Sequence, residues 1–88
     1  MKRESVVDQV YAKLKASGYK CALTGWPISP SDFEIDHIVA MADGGTDDVS
    51  NLQCVHPLAN RAKGTMGNSQ FVDMCIAVAT TMHPPCPR

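Results

Sequence analysis

No stretch of this chain is apolar for long enough to cross a bilayer, and its amino terminus lacks the charged-then-apolar order of a secretory signal. A cytoplasmic location with no membrane partner is the expectation. Outside a secretory context the four cysteines read as reduced thiols and not as a disulfide framework. The 88 residues suffice for one domain, 1–88, with a thin core. No recognition helix or array of base-reading side chains stands out, and a net charge of -1 implies modest affinity for any nucleic acid.

The middle of the chain also lacks lysine and arginine. Residues 21–50 carry six acidic and no basic side chains, whereas residues 1–20 carry five basic and two acidic, and residues 51–88 three basic and one acidic. Two positive arms therefore flank a negative centre, a distribution that suits a bound dication but also arises by chance on a solvated surface.

Val6, Val7, Val10, Tyr11 and Leu14 recur at helical spacing, and Ser17-Gly18 supplies a stop, so a helix is predicted within residues 1–18. Cys21 to Trp26 reads as an extended piece entering a turn, since Pro27 and Pro30 exclude a helix. A strand over Phe33 to Val39, a turn at Asp43-Gly44-Gly45 and a returning strand over Leu52 to Val55 follow. Pro57 suits the first position of a short helix ended by Gly64. Phe71, Met74, Cys75, Val78 and Met82 share one face of a last helix, 68–82, capped by Asn68 or Ser69. Cys54 and Cys75 read as small apolar core residues. The tail, 83–88, is irregular, and His83 with Cys86 reads more readily as tail than as a two-ligand site.

The chemistry-bearing residues lie between Glu34 and Gly64: Asp36-His37, then Asn51-Leu52, then Asn60 followed by Arg61 and Lys63. Singly each has a plain structural reading. Asp36 suits a turn or cap, His37 a hydrogen-bonded strand histidine, Asn51 a turn, and Arg61 and Lys63 solvated helix charges. Asn60, inside a short helix where asparagine is a poor former, is harder to explain structurally.

As a set, over Cys21 to Gly64, these residues resemble a small free-standing HNH endonuclease of the ββα-metal kind, as found in phages. The implied fold is α+β: a short antiparallel hairpin and a short helix (21–64) flanked by amino- and carboxy-terminal helices. The implied activity is metal-dependent hydrolysis of DNA phosphodiesters, and the resemblance to phage members implies a phage packaging machine as a partner. His37 is then the general base, a role a neutral imidazole fills at neutral pH. Asp36 and Asn60 hold one hard divalent ion, Mg²⁺ or Mn²⁺, with Zn²⁺ also admissible there. Asn51 holds the loop and orients His37, and Arg61 and Lys63 clamp phosphate. Adjacent strand residues point to opposite faces, so the Asn60 helix is expected on the Asp36 side.

Many members of that family carry two C-x-x-C knuckles around a structural zinc. Here the four positions are Cys21, Thr24, His56 and Ala59. Two of them cannot serve as ordinary ligands, so no structural zinc is expected. A non-catalytic DNA-binding module that keeps the fold is the main alternative. A small structural zinc protein is disfavoured by the broken knuckles.

Overall fold

The computed structural model describes residues 5–83. Helix α1 (Val6–Ala16) is capped by Ser5, whose hydroxyl accepts from the Asp8 amide. Strands β1 (Glu34–His37) and β2 (Leu52–Val55) pair antiparallel with Asp36 opposite Gln53 and Glu34 opposite Val55. Helices α2 (Pro57–Lys63) and α3 (Asn68–Met82) follow. The architecture is α+β, a two-stranded hairpin with three helices.

All four residues of β2 are buried because helices cover both of its faces. On one face α1 packs Val10 and Leu14 toward Leu52 and Cys54, and Val55 joins the same buried cluster from the other face of the strand. Lys13 pins α1 there, donating to the carbonyls of Val49 and Leu52. On the other face α2 packs over β1. The Gly44-Gly45 turn follows a single 3₁₀ turn, Met41–Asp43. Gly44 closes it at φ +90°, and a Cβ on Gly45 would meet the Val39 carbonyl oxygen at 2.0 Å. Gly44 therefore serves backbone conformation and Gly45 close approach.

Helix α3 departs from the expected packing. Of its apolar stripe only Phe71 is buried, whereas Met74, Cys75, Val78 and Met82 are exposed, Met82 by 69%. Cys54 is a core residue as expected, but Cys75 is not. The helical periodicity is real, yet the small hairpin offers α3 no surface beyond its first turn to cover that stripe. The expected cap also differs. Gly67 holds the N-cap position without a side chain, and Asn68 turns inward to Gln53. The tail beyond His83, including Cys86, lies outside the described residues.

Candidate active site

The end of β1, the 3₁₀ turn and the segment after α2 enclose a cavity of about 380 Å³, with Asp36, His37, Ala40, Met41, Lys63 and Met66 on its wall. Asp36 is buried, and its Oδ2 accepts from Gln53 Nε2 at 2.9 Å and Lys63 Nζ at 2.6 Å. No described residue donates to Oδ1. Gln53 is the cross-strand partner of Asp36, and it also exchanges two hydrogen bonds with Asn68. A chain of polar contacts thus runs from α3 through β2 and β1 to α2.

Lys63 overturns its placement as a surface cation. Its side chain is 1% exposed, and Nζ donates to Asp36 and to the His37 carbonyl. An ammonium held this way is a buried counter-charge and is not extended toward solvent. Lys13 is likewise turned inward, so Lys15, Lys20 and Arg61 are the exposed cations among the described residues.

His37 is half-buried, and its Nε2 lies 2.7 Å from Oδ1 of the exposed Asp47. An ionised carboxylate only accepts, so in the neutral imidazole Nε2 carries the proton and Nδ1 keeps the lone pair. Asn51 shapes this arrangement from the backbone side. Its Oδ1 accepts from the Val39 amide, and its Nδ2 donates to the carbonyls of Val39 and Thr46, the residue before Asp47. Alanine at position 51 loses all three bonds and should cost about 1–3 kcal/mol, read as a lowered urea midpoint with an unchanged slope.

Asn60 sits one turn before Lys63 on α2 and is not on the wall of the cavity. Its Nδ2 donates to Glu34 Oε1 at 2.7 Å. Glu34 and Asp36 share a face of β1, and Asn60 and Lys63 reach them from α2, so this helix lies on the Asp36 side. Arg61 is exposed. Sequence reasoning passed over Glu34, Asp47 and Gln53. For Glu34 and Gln53 a signal existed, since each shares the Asp36 face by strand alternation or cross-strand register.

The knuckle positions come together with cysteine at one of them, histidine at another, and no ordinary zinc ligand at the remaining two, Thr24 and Ala59. Burial acts to raise the Cys21 pKa, but hydrogen bonds from the His56 backbone and from Thr24 outweigh it and hold the thiol below its ordinary value. Thr24 Oγ1 accepts from the Trp26 amide, His56 Nδ1 accepts from the Leu58 amide, and Ala59 is in the core. The His56 ring meets Trp26 edge-on at 5.4 Å. Hydrogen bonds and packing occupy these atoms. Protein purified without chelator should therefore carry no stoichiometric zinc, and EDTA should leave its far-ultraviolet circular dichroism unchanged. Unfolding by EDTA would show a metal holding the fold.

The HNH endonuclease family model matches residues 19–65, from Tyr19 through the hairpin and α2. The chain belongs to the HNH endonuclease family. No curated protein matches it. HNH proteins are nucleases and DNA-binding proteins, usually endonucleases, and they commonly use a divalent metal. Among the described residues no helix is long and apolar enough to cross a membrane.

Two oxygens of this HNH chain suit a hard dication. Asp36 Oδ1 and Asn60 Oδ1 take no hydrogen bond from any described residue, and both belong to the face between β1 and α2. The donor set is a carboxylate and an amide oxygen, which is oxygen chemistry of the kind Mg²⁺ and Mn²⁺ accept while keeping several waters. No group of three or more His, Cys, Asp or Glu side chains is gathered around one point among the described residues.

Proposed function

We propose that this HNH protein is a divalent-metal-dependent endonuclease that hydrolyses phosphodiester bonds in DNA. The observation that carries the reading is the cavity at the end of β1, with Asp36 and His37 together on its wall. Asp36 and Asn60 would hold the ion, Mg²⁺ or Mn²⁺. When bound, such an ion stabilises negative charge on the phosphoryl oxygens and on the leaving alkoxide.

His37 is the general base. Asp47 holds the Nε2 proton, so Nδ1 takes the proton from the attacking water. Asn51 fixes the loop that carries Asp47. Lys63 neutralises one oxygen of Asp36 and leaves the other for the ion. Arg61, exposed on the same helix, contacts the DNA phosphates.

Incubation with supercoiled plasmid in Mg²⁺ or Mn²⁺ should give nicked or linear product, and EDTA should stop it. DNA binding without cleavage under every metal tested would leave a non-catalytic DNA-binding module instead. In titration calorimetry, Asn60→Ala and Asp36→Asn should each weaken Mn²⁺ binding by about tenfold or more. Asparagine is preferred at position 36 because alanine would strand the buried Lys63 ammonium. Unchanged Mn²⁺ affinity in both variants would remove these residues from the metal site.

A further inference from the structure

We propose that Glu34 is a positioning residue that decides which end of the Asn60 amide is offered to the metal. The inference rests on the reading above, in which Asn60 is a ligand. A carboxamide has two ends of nearly equal size, but only its oxygen has the lone pairs a hard cation needs. Rotation by about 180° exchanges them, so an asparagine ligand needs something to select the orientation. Glu34 supplies the selection. Its carboxylate accepts from Asn60 Nδ2 at 2.7 Å, so the nitrogen end is the one held and Oδ1 is the end left for a cation.

The placement follows from the strand. Glu34 and Asp36 are two residues apart on β1 and face α2 together, and Asn60 and Lys63 approach them from successive turns of that helix. The two carboxylates have different partners. Asp36 is buried against Lys63 and Gln53, and Glu34 is exposed and bonded to the amide. Aspartate at position 60 has two equivalent oxygens and needs no selection. It would also face Glu34 as a like charge, which works against two ionised carboxylates at that separation.

The test is Mn²⁺ titration calorimetry on the full chain carrying Glu34→Ala, Asn60→Asp, both together, and Asn60→Ala. Each variant is first melted to establish that it folds, as the exposure of Glu34 leads one to expect. Glu34→Ala should weaken Mn²⁺ affinity by about tenfold in the wild-type background. In the Asn60→Asp background the same change should leave affinity unchanged or tighten it. An equal loss in both backgrounds would make Glu34 a ligand in its own right and overturn the proposal, as would no loss in the wild type. Asn60→Ala separates the two readings. If it binds Mn²⁺ as wild type does, the assignment of Asn60 fails and this inference falls with it. If it binds weakly while Glu34→Ala is silent, only the role of Glu34 is lost.

Discussion

Alanine in place of His37 should lower plasmid cleavage by on the order of 10²–10⁴-fold while the protein binds Mn²⁺ and melts near the wild-type temperature. The two halves of that expectation have separate causes. The imidazole is assigned to proton transfer and not to ligation, so its loss removes the base and leaves both oxygen ligands in place. Stability is spared because the ring is only half-buried and its partner Asp47 is 81% exposed. A pair that open to water contributes about 0–1 kcal/mol at most.

Asp47→Asn sharpens the assignment. The amide oxygen can still accept from Nε2, so most of the activity should persist, whereas Asp47→Ala should lose more because the tautomer is no longer selected. Cleavage by His37→Ala at the wild-type rate would refute the role of His37. A comparable drop in His56→Ala, with stability unchanged, would move the base to the wrong side of the hairpin and refute it as well.

The hairpin, α2 and its two ends were legible because each rests on a local rule. Pro57 begins α2 and Gly64 ends it, and a glycine pair makes the turn. Asp36-His37, Asn51 and Asn60 stood out as a pattern of residue types, but the pattern did not show which neighbours each would meet, such as Glu34 beside Asn60. What was hidden is what depends on tertiary neighbours. A lysine at the last position of a short helix looks like a surface charge in any one-dimensional reading. Only the packing of α2 over β1 reveals that its ammonium lies beside Asp36.

The same holds for α3. Periodicity marks an apolar stripe, but not whether the fold has a surface to receive it, and here Phe71 alone of the stripe is buried. Asn68 reads as a cap by type, yet hydrogen bonds to Gln53, fifteen residues away, claim its side chain, and glycine fills the cap position. Asp47 was hidden among six acidic residues of the central segment, with nothing local to distinguish it from Asp48.

Methionine in place of Lys63 should be the most destabilising single change described. The substitution keeps an unbranched chain of similar length and removes the charge, so Asp36 remains a buried carboxylate with Gln53 as its sole side-chain donor. Breaking a buried pair from one side costs about 3–5 kcal/mol. For a domain of this size each 1 kcal/mol moves the melting temperature by about 4–8 °C, so the variant should melt roughly 12–40 °C below wild type. The neighbouring Arg61→Met, on the exposed side of the same helix, should stay within about 0.5 kcal/mol of wild type. Adding Asp36→Asn to Lys63→Met removes the stranded charge and should recover part of the loss. Mn²⁺ supplies a further discriminating arm. An ion bound at Asp36 restores positive charge beside the carboxylate, so it should raise the melting temperature of Lys63→Met more than that of wild type. Equal melting of Lys63→Met and Arg61→Met would mean that the ammonium reaches solvent, and the phosphate-clamp role would return to Lys63.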